Sequence, residues 1–369
     1  YADFKVYVPD EQISQAPVPV RSSVWRGDLP ERPVPEPPVF QTSAVTIERI
    51  PLRVTERQGF DRDAQPVSTG VPLPAGHLWD PASVRLMDPE GRQLPLQTEV
   101  LSRWPDGSIR WLLLDFQASV AAGAVAEYVL EYGSEVTRLS VEGIRVEEDD
   151  DTIIVDTGPL AVEFGKSGSL LRRLKVDAMS WDDASSPEII FHGAGGLTVT
   201  TTEAPHTVEI EEAGSERVVV KASGEIHAVR GDESLNFAYD LRFHFYRHSS
   251  VIRIDPTITN LLAWEPHIGI SYTDLTRVSL RLPGWVPAKQ LVFRIGTDRE
   301  PISGQGRHVS LLQSEANAFE IVADGKQIGS GRRATGWVDL SDGDIRLSLG
   351  IRHFWEQAPK AIWVDGEGD

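Results

Sequence analysis

The amino-acid sequence predicts an all-β protein, and two observations support this fold class. From Ser43 onward, short runs of alternating apolar residues are separated by turn signals about every 8–12 residues, which is typical of β-sandwiches and β-barrels. No long stretch places apolar residues at the i, i+3, i+4 and i+7 positions of an amphipathic helix. We therefore expect an extended arm, a small β-barrel and a large antiparallel β-sandwich, in that order.

Residues 1–45 form the predicted arm. They hold eight of the 25 prolines in the chain, and proline removes backbone donors and favours extended polyproline geometry. Such an arm either docks on the sheet edge of a neighbouring subunit or serves as an ordered linker, and the sequence leaves both open.

Residues 46–146 form the predicted barrel, and the segment Arg103–Phe116 is its clearest element. The Pro-Asp-Gly sequence at 105–107 predicts a tight turn, because proline presets φ and glycine accepts a positive φ. We expect Trp104 and Trp111, on either side of this turn, to lie in the barrel core. The alternating apolar residues of the strand after the turn are Ile109, Trp111 and Leu113.

Residues 147–369 form the predicted sandwich, which begins at an acidic run over residues 147–151. Its longest strands include residues 235–246, where side chains alternate between two faces. The residues predicted for the apolar face are Leu241, Phe243 and Phe245. The residues predicted for the polar face are Arg242, His244 and Tyr246. A polar face of this kind either binds an extended ligand or is simply solvated.

Composition narrows the possible partners. The formal net charge is −19, from 36 basic and 55 acidic residues, so the surface repels nucleic acid and anionic lipid. An acidic glycan would need a local basic site. No apolar run is long enough to span a bilayer. The chain begins at Tyr1 rather than Met, and we expect a processed, secreted extracellular protein.

Several familiar chemistries are not indicated. There are no cysteines, and the nine histidines are scattered without metal-ligand spacing, so neither a metal nor a cofactor is predicted. The Asp-Thr-Gly sequence at 156–158 lacks the second copy that an aspartic protease requires, which favours a plain strand turn. Two Gly/Arg-rich segments, at 304–308 and 329–333, are predicted as hairpin tips, with anion binding as the alternative.

Two polar-aromatic clusters are the candidate binding sites. Tryptophan and tyrosine stack on sugar rings, while arginine and lysine pair with uronate carboxylates. The alternative for both clusters is a set of core aromatics with cations extending to solvent. The first cluster comprises Arg352, His353, Trp355, Lys360 and Trp363. The second comprises Trp264, His267 and Tyr272.

Five segments together resemble the exo-rhamnogalacturonan lyase (PcRGLX/YetA-like) family. The first three resemble its N-terminal RIFT barrel, and the last two resemble the β-sandwich region that follows. The resemblance covers residues 45–365. The segments are Val71–Gly76, Val84–Leu86, Arg103–Trp111, Asp156–Leu160 and Arg352–Lys360.

The resemblance implies a polysaccharide lyase that acts on acidic, pectic glycans. Relatives continue into a helical toroid that carries much of the active site, and we expect this chain to stop before that region. A lyase needs cations to neutralise the uronate carboxylate and a base to remove the α-proton. Under this hypothesis Arg352 and Lys360 neutralise the carboxylate, and His353 or Tyr272 is the base.

The two clusters supply the remaining substrate-binding candidates, Trp355 from the first and Trp264 and His267 from the second. Two other functions stay open at this point. One is a non-catalytic carbohydrate-binding or scaffold module, and the other is an extracellular structural subunit assembled through the arm at residues 1–45.

Overall fold

The computed structural model describes residues 45–177, 179–182, 188–193, 195–201, 206–231, 233–261, 275–282, 291–341 and 346–365. Within these ranges the chain forms β-strands and turns and no α-helix, so the all-β prediction is confirmed. No helical segment suited to crossing a membrane is found there. The chain divides into two compact units between Val141 and Glu142, a few residues before the predicted boundary at 146/147. The predicted arm, except for its last residue, lies outside the described ranges.

The first unit contains seven strands in two antiparallel sheets, with the orders β1-β7-β3-β4 and β2-β6-β5. Both sheets contribute to one hydrophobic cluster, which includes the fully buried Val84, Leu86, Leu114 and Leu130. The strands are β1 (Glu48–Thr55), β2 (Arg62–Pro72), β3 (Val84–Met87), β4 (Gln93–Leu94), β5 (Gln97–Arg103), β6 (Ile109–Val120) and β7 (Val125–Tyr132).

The hairpin between β5 and β6 forms as predicted, but the faces of β6 are not those predicted. Gly107 has φ +85°, and the Trp104 N–H donates to Ser108 O at 2.8 Å to close the turn. Opposite β6, the strand register shifts at Ser102 and Arg103. As a result Trp111 is 39% exposed, and the prediction that it lies in the core was wrong. The inward residues of β6 are Ile109, Leu112, Leu114 and Phe116.

The second unit begins with three sheets, of orders β12-β11-β10-β9-β8, β14-β13-β19 and β15-β16-β17-β18. Their apolar faces share one hydrophobic cluster. The strands are β8 (Arg145–Glu148), β9 (Thr152–Asp156), β10 (Leu160–Gly165), β11 (Leu171–Val176), β12 (Met179–Asp182), β13 (Glu188–Gly193), β14 (Thr198–Thr200), β15 (His206–Ala213), β16 (Arg217–Arg230), β17 (Glu233–Tyr246), β18 (Ile252–Asn260) and β19 (Leu275–Arg281).

The alternation predicted for β17 is correct on its apolar side, but His244 and Tyr246 on the opposite side are buried, so that side is not the solvated or ligand-binding face predicted. Leu241, Phe243 and Phe245 are each at most 1% exposed. The Phe164 ring packs edge-on against both phenylalanines. The apolar face of a strand with one buried side is fixed by its period of two.

The opposite face of the sheet β15–β18 carries ion pairs, and we call it the charge-paired face. Its arginines and lysine each lie beside a carboxylate of the same sheet. The pairs are Lys221–Glu209 at 2.5 Å, Arg242–Glu211 at 2.7 Å, Arg217–Glu212 at 2.5 Å and Arg253–Asp255 at 2.8 Å, and His244 Nε2 lies 3.1 Å from Asp255 Oδ2. This face is therefore internally neutralised.

The unit ends in a further sandwich of two four-stranded sheets, β21-β20-β25-β26 and β24-β23-β22-β27. A separate hydrophobic cluster built around Phe293, Leu311 and Phe354 lies between them. The two Gly/Arg-rich segments fall largely within β21 and β24, so they are not hairpin tips. The strands are β20 (Leu291–Thr297), β21 (Ile302–Gly306), β22 (His308–Glu315), β23 (Ala318–Ala323), β24 (Lys326–Gly331), β25 (Ala334–Ser341), β26 (Arg346–Gly350) and β27 (Lys360–Asp365).

Candidate functional site

The segment between β26 and β27, residues 351–359, is a compact series of turns. The Ile351 N–H donates to Gly336 O at 2.8 Å, and the Gln357 N–H donates to His353 O at 3.1 Å. Phe354 is buried and packs on Gly336, where an added Cβ would lie 2.4 Å from the Phe354 Cβ. The segment is therefore anchored on β25 by one main-chain hydrogen bond and one core side chain.

Lys360 holds this turn closed. Its Nζ donates to Arg352 O at 3.0 Å and to Gln357 Oε1 at 2.7 Å, and His353 O lies at 3.4 Å. The ammonium thus satisfies oxygens that the turn leaves outside any strand ladder. Its geometry is that of a structural clamp on the turn.

The structure brings four of the predicted site residues together. Arg352 and His353 are exposed, and Trp355 is half-buried with the Arg333 guanidinium 4.1 Å from its ring centroid. Lys360 completes the group through the contacts just described. Trp363, which the sequence placed in the same cluster, lies three residues along β27 and on the other face of that strand. Residues lying outside the described ranges are Tyr272, Trp264 and His267.

The strand β25 presents a polar and aromatic face next to this turn. Its residues alternate between buried and accessible positions with the period of a half-buried strand. The buried positions are Ala334, Gly336, Val338 and Leu340. The accessible positions, counted from the residue before the strand, are Arg333, Thr335, Trp337, Asp339 and Ser341.

The Trp337 side chain packs against Gly296 on the neighbouring strand β20. The β20–β25 register shifts between Ile295 and Thr297, and Gly336 in β25 has φ +78°. A Cβ added at Gly296 would lie 2.2 Å from Trp337 Nε1. Only glycine therefore lets the indole lie against the backbone of β20 at this point.

Two arginines cover the two tryptophans of this region. The Arg294 guanidinium lies 5.7 Å from the Trp337 centroid, as Arg333 lies over Trp355. We call Arg294, Arg333, Trp337 and Trp355 the Arg–Trp face. Neither arginine forms an ion pair with a carboxylate in the described part of the chain, and Asp339 instead accepts a hydrogen bond from Ser348 Oγ at 2.6 Å.

The chemistry of the Arg–Trp face suits an anionic ligand that also has an apolar face. Indole rings offer an apolar surface to the C–H face of a sugar. A guanidinium presents several N–H donors in a fork that matches a carboxylate. Within the described ranges, no group of three or more histidine or acidic side chains is placed to hold a metal ion.

Two of the four residues of this face lie in segments that the sequence marked, although Arg333 was predicted to lie in a hairpin tip, with anion binding as the alternative. Trp355 stood in a predicted cluster, and Arg333 ended a Gly/Arg-rich segment. Arg294 and Trp337 were missed. The alternation along β25 would have placed Trp337 on a polar face, but its contact with Arg294 depends on how two strands about 40 residues apart pair.

Two family models match the chain. The PcRGLX-like N-terminal RIFT barrel domain matches residues 51–131, and the PcRGLX-like central β-sandwich domain matches residues 144–260. Together they cover more than half of the 369 residues. The uncharacterized protein YetA of Bacillus subtilis (strain 168) is 25% identical over 353 residues, covering 81% of this chain. This chain spans only 41% of the length of YetA.

Two solved structures from Enterococcus faecalis are similar over most of the chain. An α-mannosidase from strain V583 has a TM-score of 0.43 and 10% identity, covering 85% of this chain and 42% of the mannosidase. A protein in glycosyl hydrolase family 38 has a TM-score of 0.47 and 11% identity, covering 86% of this chain and 48% of that protein.

Proposed function

Because this chain belongs to the PcRGLX/YetA-like family, we propose that it is the β-region of a polysaccharide lyase that acts on acidic, pectic glycans by β-elimination. In this proposal the described strands bind the glycan, and the protein acts outside the cell, where pectic glycans are found. The family relationship supplies the reaction class. The residues supply the argument for an acidic ligand.

The Arg–Trp face is the observation that carries the proposal. In a chain with a net charge of −19, arginines beside carboxylates are already neutralised. Arg294 and Arg333 instead rest on aromatic rings and have no carboxylate partner among the described residues. Each keeps N–H donors for an anion, and each lies beside a tryptophan. This combination supports recognition of a uronate-containing sugar chain.

β-Elimination needs a base and a cation. The base removes the proton α to the uronate carboxyl, the bond from C4 to the departing oxygen breaks, and a C4=C5 double bond forms. His353 is exposed at the surface of the turn, as a base would need, and Arg352 beside it is the candidate for neutralising the carboxylate. Tyr272 remains a proposed alternative base.

Binding without catalysis is the second candidate function, and Lys360 favours it. Its ammonium is directed at the oxygens of the turn, so the predicted role of neutralising a substrate carboxylate would require breaking those hydrogen bonds. A non-catalytic carbohydrate-binding or scaffold module needs only the Arg–Trp face. Assembly through the arm at residues 1–45 stays a prediction.

Calorimetric titration with a rhamnogalacturonan oligosaccharide and with its carboxyl-reduced form tests the ligand class. The unchanged chain is expected to bind the acidic form more tightly. The double change Arg294→Gln and Arg333→Gln should remove most of that preference, since charge-assisted hydrogen bonds contribute about 1.5–3 kcal/mol each. Arg346→Gln, at an exposed arginine on the neighbouring strand, is the matched control. Equal affinity for the two forms contradicts an acidic ligand.

Absorbance of the unsaturated uronate product separates a lyase from a binding module. If a form of the protein that binds the glycan also generates this absorbance, His353→Ala or Tyr272→Phe should reduce it. If neither change reduces this absorbance, neither His353 nor Tyr272 is the base. Binding with no absorbance change would support the binding module.

A further inference from the structure

A further arginine–tryptophan pair joins strands β19 and β27 of the second unit. The Arg277 guanidinium in β19 lies 5.6 Å from the ring centroid of Trp363 in β27. Trp363 is 56% exposed. The guanidinium therefore leaves much of the indole accessible to a ligand.

A histidine orients the guanidinium. His192 is the in-register partner of Arg277 across β13 and β19, and Arg277 Nη2 lies 2.9 Å from His192 Nε2. The guanidinium can only donate, so His192 Nε2 accepts and the ring proton lies on Nδ1, 3.3 Å from Thr198 Oγ1. Burial, with the nearby Arg277 charge, lowers the pKa of His192, which keeps the ring in this neutral, accepting form.

Arg277 differs from the other arginine of its own strand. Arg281 pairs with Glu188, with 3.3 Å between Nη1 and Oε1. Arg277 has no carboxylate partner in the part of the chain that the structure describes. Its neighbours are the His192 imidazole and the Trp363 indole. The positive charge is thus held in a fixed orientation with donors left over.

We propose that Arg277 and Trp363 form a subsite for one uronic acid residue, with His192 as a positioning residue. The Trp363 ring stacks on the face of the pyranose, and the Arg277 guanidinium pairs with its carboxylate. The neutral His192 fixes the guanidinium without competing for charge. This subsite rests on the proposed binding of acidic glycans and is separate from the Arg–Trp face.

Titration of the full chain with a rhamnogalacturonan oligosaccharide and with its carboxyl-reduced form tests the subsite. Arg277→Gln should weaken binding of the acidic form roughly tenfold or more, and leave the reduced form within about twofold. Trp363→Ala should weaken both forms, because it removes the stacking surface, while Trp363→Phe retains most of the affinity. Trp111→Ala removes an exposed tryptophan from the first unit and serves as the control.

The role of His192 has its own readout. His192→Ala should reduce the preference for the acidic form, and His192→Gln should restore part of it, since a glutamine oxygen accepts the same hydrogen bond. Unchanged binding by Arg277→Gln and Trp363→Ala, while the unchanged chain binds well, overturns the subsite alone. Failure of the unchanged chain to bind any acidic oligosaccharide overturns both the subsite and the proposed function.

Discussion

The charge-paired face on β15–β18 and the Arg–Trp face on β20 and β25 are both polar surfaces of antiparallel sheets, yet their cations are held differently. On the first, arginine and lysine side chains lie beside carboxylates, as Arg242 does beside Glu211. On the second, Arg294 and Arg333 lie over indole rings. A cation with a carboxylate partner contributes to stability, whereas one on a ring keeps donors for a ligand. A polar sheet face therefore indicates a binding site only when its charges lack internal partners.

The Arg–Trp face, unlike the charge-paired face, depends on a glycine, because the turn at 351–359 packs on Gly336. Gly336→Ala tests this dependence and has the largest expected effect. Alanine at φ +78° costs about 1–2 kcal/mol, and its Cβ would lie 2.4 Å from the Phe354 Cβ, adding about 1–3 kcal/mol of overpacking. We expect Gly336→Ala to lower the free energy of unfolding, measured with urea, by the sum of these two costs. The control is Gly325→Ala, which has φ +75° and open space around it. Equal losses at both glycines would contradict the role of Gly336 in seating the turn.

Asp255→Asn tests the ion pairs of the charge-paired face. Burial raises the pKa of Asp255, but the nearby His244 and a hydrogen bond from Arg253 outweigh burial and lower the pKa to about 2. A carboxyl whose folded pKa is below its unfolded value of about 3.9 stabilises the protein above that value, and this stabilisation is lost as pH falls toward 2. Allowing for solvent screening, the change should cost about 1–2 kcal/mol at pH 7.

The cost of Asp255→Asn should shrink between pH 4 and about pH 2, as measured by urea unfolding across that range. Asp339→Asn on strand β25 is the comparison, because Asp339 accepts a hydrogen bond from Ser348 and has no ion pair among the described residues. A constant cost of Asp255→Asn at every pH would show that the carboxylate is not stabilised by its charged partners.

The smallest expected effect compares one arginine from each face. Arg242→Gln breaks two hydrogen bonds to Glu211, at 2.7 and 2.8 Å, and should cost about 0.5–1.5 kcal/mol, less at high salt. Arg294→Gln removes only a cation–π contact and should cost about 0.5 kcal/mol. Thermal unfolding at low and high salt measures both. A larger, salt-sensitive loss at Arg294 would mean that the two faces do not differ as described.

Local patterns predicted much of the fold. The alternation of Leu241, Phe243 and Phe245 was correct because this side of β17 faces the shared hydrophobic core and the period of a strand is two. Trp111 was placed wrongly because the irregular pairing of β5 with β6 turns the strand at that point. That irregularity depends on the partner strand, so the sequence of β6 alone does not reveal it.

In the candidate site, too, contacts between residues close in sequence were predictable, and contacts that depend on strand pairing were not. Arg352, His353 and Lys360 were grouped correctly because they are close in sequence and meet in one turn. The contact between Arg294 and Trp337 was not predictable, since it depends on strand register and on the absence of a side chain at Gly296. The family resemblance was identified from ordered motifs, which carry information on the fold and less on these contacts.

The pairing of β27 with β22 has a consequence for synthesis of the chain. His308 at the start of β22 pairs with Asp365 at the end of β27. The strand that pairs with this edge of β22 therefore begins only at Lys360, although β22 ends at Glu315. Contacts this distant in sequence form slowly, and until then β22 presents an unpaired edge to other chains. Ribosome-bound intermediates arrested before residue 360 should therefore be the species of this protein most prone to aggregate.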